Sequence, residues 1–581
     1  MKKLIIATIA LILWLAAAAP LSAATLSVPS QYPNIQGAID AANKGDTVII
    51  APGTYSGVWE NCEINFDKAI TVQSADPNDP NIVAATVIDC NDTYPYEGFS
   101  FASKDANSIL DGLTIINGSY GITCINSAPT IRNCVISNCD CGIVCNYSAP
   151  TIRNCVIKNC SRSGGISCAD GLSLDVEYYP QIINCTISNN TAYGHGGGIS
   201  CLYSSPTITN CTISNNTAAG MGGGIYCSSG TAPIITNCTI SGNSAQSHGG
   251  GIYGSTAVIN SIINGNEARY GGGICSSNSI TVTNLTNCCM VGNKAKYEGG
   301  GIYSDGALDV SNCTIVANVA GQPGMGYGMG GGIYYHFMKN PLGISIFNSV
   351  VWGNLDYYSI GEIDQIAISE PIDPRYPVHI AFNCIQDYDP NDNSVPFNDD
   401  PANQNIDDNP KFVREPNIAD GDFGDLHLRK DSPCINTGDP DYAFEPNETD
   451  LDGNSRVIGD RIDMGAYEFV PDTTPPEFSL FVTPTILWPP NHKMIKITPT
   501  CTATDICDPS PQVSLVDITT NEPCNPDDIK IAPDGSISLC ATRSGNSKAR
   551  IYTLTYKACD SSANCTVKTA TITVPHDKRS K

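Results

Sequence analysis

Tyr226, Tyr253, Tyr303 and Tyr334 each follow the isoleucine of a recurring Gly-Ile phrase by one residue, so all four hold the same place in a repeated unit. On a strand, residues flanked by an inward-facing pair such as Ile225 and Cys227 point outward. Ser200 precedes the series and Cys275 interrupts it. Stacked at strand spacing, four steps of about 4.8 Å give an aromatic strip of roughly 19 Å on one sheet face. A tyrosine ring has an apolar face and a polar rim, which suits contact with sugar rings; mutual packing of the tyrosines to cover a sheet is the competing use.

The charged candidates are fewer. Asp140, Asp170, Asp175 and Glu177 lie near Arg132, Arg153, Lys158 and Arg162 in sequence. Acids to hold calcium and a basic residue to accept a proton are what a polysaccharide lyase needs, whereas charges on solvated turns need no function at all. Arg132 and Arg153 share a repeat position and are expected to stack. Asp387-x-Asp389-x-Asn391 begins like a calcium loop but has no Gly at the sixth place and no Glu at the twelfth. Asp420-Gly421-Asp422 and Asp450-Leu451-Asp452-Gly453 are similar, and turn chemistry accounts for each as well as calcium does. Calcium, at Asp387, Asp389 and Asn391, is the one cofactor for which the sequence offers a donor set.

The elements that must position these residues are repeats. Gly-Ile pairs fall at 121, 142, 165, 198, 224, 251, 273, 301 and 332, a mean step of about 26 residues, and periods of this size signal a solenoid. Half a period away runs a second phrase, Asn-Cys-Thr-Ile-Ser-Asn at 184–189 and 210–215. In 207–227 the spacing predicts three short strands, with Ile208, then Cys211 and Ile213, then Ile225 and Cys227 turned inward and Asn or Gly at the bends. No coil of this kind buries its own apolar face, so the coils stack in parallel register. The Asn210 column is expected to form a side-chain amide ladder.

Residues 1–24 have a basic start, an apolar run and small residues before Ala24, the pattern of a bacterial secretory signal peptide. No later run is long enough for a membrane helix. The net charge of −26 is uneven: residues 120–350 hold eight acids and eight bases, whereas 361–472 hold 26 acids and seven bases. That balance argues against nucleic acid or an anionic membrane as partner. Asn34 is placed to cap a short helix carrying Ile35, Ala38, Ile39 and Ala42, Gly45 to end it, and Asp46–Ile50 to form a strand. Past a Pro-rich linker at 472–476, alternating Thr/Val/Ile runs such as 551–556 and 567–574 indicate a small β-sandwich.

Of the 27 cysteines, six fall in that last domain (501, 507, 524, 540, 559 and 565), an even set expected to form disulfides in an exported protein. Most of the others occupy two solenoid columns, where parallel side chains do not point at one another, and they read as unpaired packing thiols.

The wording at 35–40 followed by GDTVIIAPGTY at 45–55 resembles the start of secreted right-handed parallel β-helix proteins of the pectin-lyase-like group. Asn409–Phe412, Leu426-His427-Leu428, Asp431–Gly438, Asp450–Asn454 and Asp463–Glu468 resemble their closing segment. Leu487–Met494 and Val574–Asp577 resemble bacterial extracellular immunoglobulin-like domains related to the hyaline-repeat type. The resemblance implies an all-β chain: a signal peptide (1–24), a three-sided β-helix with a capping helix (25–360), an acidic closing segment (361–472) and an immunoglobulin-like sandwich (473–581). It does not imply one activity, because such folds host lyases, hydrolases and adhesins. Gly194-His195-Gly196 matches a catalytic phrase of polygalacturonases, yet Met221, His248, Tyr270, Glu298 and Met329 take that slot in later coils. The reading reached from the residues is an exported glycan-binding or surface-adhesion protein without catalysis, with polysaccharide or a cell-surface glycan as partner. A lyase or hydrolase and a purely structural surface protein are the alternatives.

Overall fold

The computed structural model describes residues 23–90, 96–102, 108–169, 179–276, 282–324, 327–336, 343–357, 365–369, 377–387, 403–443, 448–506, 508, 510–545 and 547–577. The chain folds as two compact units, Met1–Phe469 and Val470–Lys581. The expected signal peptide lies almost wholly outside the described residues, as do Asp170, Asp175, Glu177, Asp389 and Asn391.

In the first unit, three large parallel sheets of 14, 12 and 13 strands run side by side, each taking one strand from successive coils. This is a parallel β-helix. The parsed repeat holds residue by residue: Ile208 pairs with Ile235, Ile213 with Ile240 and Ile225 with Ile252, all fully buried. Each such column removes an aliphatic side chain from water, worth about 1.5–3 kcal/mol per residue. The parallel sheets continue past 360, through Ile366–Ile368, Val378–Ala381 and Cys384–Ile385. From Thr191 onward a fourth, seven-stranded sheet of two-residue strands, too short to show in the sequence pattern, joins the corner after the asparagines.

The asparagines divide their work between two columns. Asn184, Asn210, Asn237 and Asn287 adopt left-handed φ near 53° and make the bend. Their side chains meet only intermittently, as where Asn287 Nδ2 donates to Asn260 Oδ1 at 3.1 Å. The continuous amide ladder is the neighbouring buried column, Asn190, Asn216, Asn243, Asn266, Asn293, Asn318 and Asn354, ending on Gln365. The expectation that the Asn210 column carries the ladder is corrected accordingly: the bend residue Asn210 is exposed and points its amide away from the core, whereas Asn216 is buried and points inward. The glycine run is required by close approach. A Cβ on Gly224 would lie 2.6 Å from the Gly251 carbonyl oxygen, and Gly222 has φ +67°.

Asn34 caps the helix Ile35–Ala41 by accepting the Gly37 amide, and the helix covers the first coil with Ile35, Ala38 and Ile39. The helix ends at Ala41 rather than at Gly45, which instead turns the chain at φ +91°. At the other end Phe412, Leu426, Leu428, Cys434 and Met464 pack onto outward residues Cys289, Val291, Val316 and Val350 of the 13-stranded sheet. Outward positions that are Thr212 and Ser214 in an exposed coil become Cys289 and Val291 where this flap lies. A knot of buried polar groups holds it: Asp463 accepts the Asn436 and Phe469 amides (2.6 and 2.7 Å), Asp450 accepts the Glu468 amide (3.0 Å), and Arg456 pairs with Glu468 (3.4 Å) with both side chains fully buried. Asp450 also accepts the Asp452 and Asn454 amides, so this calcium-like phrase is a turn.

In the second unit a four-stranded and a three-stranded antiparallel sheet contribute to one core containing Phe478, Ile497, Leu539, Tyr552, Leu554 and Ile572. Cys559 and Cys565 face each other across adjacent antiparallel strands, Cα atoms 4.1 Å apart, and form a disulfide. Cys501, Cys524 and Cys540 are free thiols, which corrects the expectation of a fully oxidised set; Cys507 lies outside the described residues. Cys501 pairs with Leu480 in the sheet and has no cysteine opposite it. The described cysteines from Cys62 to Cys434 are all buried and unbridged.

Replacing Ile213 by Asp places an unpaired carboxylate in the core and should cost several kcal/mol, whereas Asp at exposed Thr212 should cost under about 1 kcal/mol; equal melting losses would contradict the inward assignment. A thiol reagent should label few cysteines of the native protein and many after denaturation without reductant. A denatured thiol count near zero would mean that the columns are bridged.

Candidate functional site

The register that builds the coils also aligns the tyrosines. On the 12-stranded sheet Ser200 pairs with Tyr226, Tyr226 with Tyr253, Tyr253 with Cys275, Cys275 with Tyr303 and Tyr303 with Tyr334. The flanking isoleucines are fully buried while these four tyrosines are half-buried, so the parity places them on the outer face.

A second file of rings, from the turn just before each glycine run, lies against the first. His195 stacks on Tyr226 (centroids 4.6 Å), and Tyr226 on Tyr253 (5.5 Å, planes 2° apart). Where Cys275 leaves a gap, the neighbouring file closes it. His248 meets Tyr253 edge-on at 6.1 Å and stacks on Tyr270 at 4.8 Å, and Tyr270 meets Tyr303 edge-on at 5.7 Å. Tyr303 then stacks on Tyr334 at 5.5 Å, which lies parallel to His336 at 6.4 Å. A side branch runs from Tyr270 through Tyr297 to Tyr327, each step 5.1 Å. The result is an unbroken ribbon of rings from His195 to His336. Each contact adds about 0.5–1.5 kcal/mol beyond area burial.

Tyr226 and Tyr253 lie parallel with centroids 5.5 Å apart, so at van der Waals separation their rings are offset rather than fully cofacial. The ribbon gives His248 and Tyr270 a larger part than variants of a turn. Their shared slot with His195 is the signal in the sequence. His195 accepts the Met221 amide at Nδ1 (3.0 Å) and belongs to the ribbon.

Two carboxylates flank the C-terminal half of the ribbon. Glu298 occupies the turn slot of His195 and His248, its carbonyl accepting the Gly271 amide at 3.1 Å. It acts electrostatically on Tyr270, Tyr303, Tyr334 and His336. Asp305 follows the same strand, one residue beyond Ser304, which pairs with Tyr335 beside His336. Burial raises both carboxyls above their ordinary values, and His336 partly offsets this for each. Burial likewise raises the phenols of Tyr226, Tyr303 and Tyr334, while burial first and Arg269 second lower His248. These groups can exchange protons with a bound ligand or hold it by hydrogen bonds.

Among the described residues, the other sequence candidates do not converge. Arg132 is held by Asp111 at 2.6 Å, with the carboxylate nearly inaccessible, and Arg153 stacks over Arg132 as expected. Arg162 meets Asp140 at 3.5 Å on the surface. Asp387 donates its amide to Asp407 at 3.1 Å. In the second unit, Asp472, Asp505 and Asp560 bring one ligand atom each within 4.8 Å of one another, an oxygen set of the kind calcium takes.

Residues 34–178 and 166–336, together just over half of the chain, match the family model described as right handed beta helix region. The chain belongs to this family. Among solved structures, this β-helix is similar to the catalytic domain of a GH87 alpha-1,3-glucanase variant in complex with nigerose, at 17% identity and TM-score 0.36 over 63% of this chain and 70% of that one. It is also similar to a variant of the PL6 family alginate lyase AlyGC, at 12% identity and TM-score 0.30 over 64% of this chain and 55% of that one. No curated protein matches the sequence.

Neutralising the two flanking carboxylates should relieve a desolvation cost. A carboxyl whose folded value is raised stabilises the fold below its unfolded value and loses that contribution as pH climbs through the raised value. Glu298→Gln with Asp305→Asn is therefore expected to melt at or above the wild-type temperature at pH 8, with the difference shrinking towards pH 4. A variant that melts lower at pH 8 would show that the carboxylates are stabilised by partners.

Proposed function

We propose that this protein is an exported, noncatalytic polysaccharide-binding or adhesion protein whose β-helix holds an extended glycan along the aromatic ribbon. The observation that carries this reading is the unbroken path of rings from His195 to His336 on one sheet face. Its rings recur at about the 4.8 Å strand spacing, close to the length of one sugar unit, so an extended polymer meets a ring at successive coils. Export rests on the signal-type sequence at 1–24. The C-terminal unit serves as an immunoglobulin-like spacer or contact module, in keeping with its antiparallel sheets and shared core.

Glu298 and Asp305 favour a second reading, a polysaccharide lyase or hydrolase, since buried carboxyls beside a ligand face are suited to acid and base work. The binder is preferred because, among the described residues, neither carboxylate forms an ion pair, and the basic groups along the ribbon, Arg269 near His248 and Tyr270 and Lys296 over Tyr297, stand singly.

Retention on insoluble or immobilised polysaccharides tests the proposal. Across pectate, alginate and neutral glycans, with calcium present, the protein should bind at least one without releasing unsaturated products or new reducing ends. Tyr226→Ala with Tyr253→Ala should weaken that retention by about tenfold. Turnover abolished by Glu298→Gln or Arg132→Ala would establish an enzyme instead, and retention indifferent to the tyrosines would place the contact elsewhere.

A further inference from the structure

The sheet face that carries the ribbon extends towards the N-terminus along Ser200, Ser167, Val144, Thr123, Ser100 and Asn65. At that end it opens into a cavity of about 340 Å³ lined by Trp59, Glu63, Asn65, Glu97 and Ser100. We infer that this cavity is a binding site for a primary ammonium group on a hydroxylated scaffold, the chemistry of an amino sugar. The cavity shares no residue with the ribbon.

Four observations converge on it. Trp59 is 71% exposed, an unusual state for the largest apolar side chain. The loop that carries it is not loose: Gly57 O accepts the Asn61 and Cys62 amides, Trp59 N donates to Cys62 O, and nearly buried Asn61 accepts the Ile35 amide (3.1 Å) and donates to Ser56 O (2.9 Å). Trp59 and Glu63 both hold left-handed φ, 65° and 53°, a conformation costly for such residues that the surrounding contacts impose. An indole held out on a braced loop is available to a ligand.

Glu63 and Glu97 lie on adjacent coils, the Glu63 amide donating to the Glu97 carbonyl at 2.6 Å. Burial first, then the charge of Glu97, lifts the Glu63 carboxyl above its ordinary value. Among the described residues no lysine or arginine pairs with either. A cation placed between them removes that repulsion, and one beside an indole gains a cation–π contact. Asn65 and Ser100 supply neutral donors and acceptors for hydroxyls. The tryptophan favours an organic cation over a bare metal ion, which would take oxygen ligands alone.

The test is a tryptophan-fluorescence titration of the purified protein in about 0.3 M salt, which screens general attraction to an acidic chain. The ligands are a glucosamine trimer, its N-acetylated counterpart and calcium chloride. Saturable binding of the amine trimer is expected, with the acetylated trimer at least about tenfold weaker. Glu63→Gln with Glu97→Gln should weaken the amine trimer by about 30-fold, and Trp59→Ala should weaken it in a calorimetric titration. Tyr226→Ala with Tyr253→Ala should leave it unchanged, so this site and the ribbon fail or stand separately. If the double glutamine variant does not melt like the wild type, Glu97→Gln alone takes its place. Equal binding of both trimers, binding indifferent to the glutamine substitutions, or calcium binding that displaces the amine would each overturn the inference.

Discussion

The stacking of the coils from Asn190 to Gln365 depends on one repeated interaction, the buried asparagine ladder. The Asn243 amide oxygen accepts both the backbone and side-chain N–H of Asn216 (2.9 and 3.0 Å), while its own Nδ2 donates to the Ile213 carbonyl and to Asn266 (2.9 and 3.0 Å). Each amide is satisfied only when the coils on either side stand at one height and in one register. An unpaired amide in this core would cost about 1–3 kcal/mol, so a slipped coil is penalised at several rungs together. The cysteine column repeats the device more weakly, with the Cys185 amide directed at Cys211 Sγ (3.4 Å) and Ser261 Oγ replacing sulfur for Cys238 (3.0 Å).

Once register is fixed, every column becomes a continuous surface, and the three sheets can be put to different uses. Small outward residues on the 13-stranded sheet give way to Cys289, Val291 and Val316, which the closing flap covers. The 12-stranded sheet carries tyrosine at the same parity and stays open. Its rings stand near the strand spacing, within the centroid range of offset-stacked and edge-on aromatics. These contacts rigidify the ribbon.

Charge follows the same division. The acidic phrases of the closing segment that resemble ligand loops mainly serve the fold, as Asp450 and Asp463 accept backbone amides and Glu468 meets Arg456. The carboxylates with chemical latitude are instead those on the open sheet face, Glu298 and Asp305 beside the ribbon and Glu63 with Glu97 at its far end. Burial raises three of the four, Glu63, Glu298 and Asp305.

Much of this was legible in the sequence, because a solenoid's tertiary contacts are near copies of one local pattern. The 26-residue period, the inward Ile and Cys, the Asn34 cap and the outward tyrosines all follow from counting positions. What counting did not separate was the bend asparagine from the ladder asparagine, since Asn210 and Asn216 are identical letters, and only the left-handed φ of the first sends its amide to solvent while the second enters the core. Nor did it join His248 and Tyr270 to the tyrosine column: they lie in a different phrase of the repeat, and only the winding of a coil brings that turn beside the strand. The pairing of Trp59 with Glu63 and Glu97 was equally out of reach. It falls before the repeats become regular, where the chain positions that meet are set by a braced loop and a neighbouring coil rather than by a period.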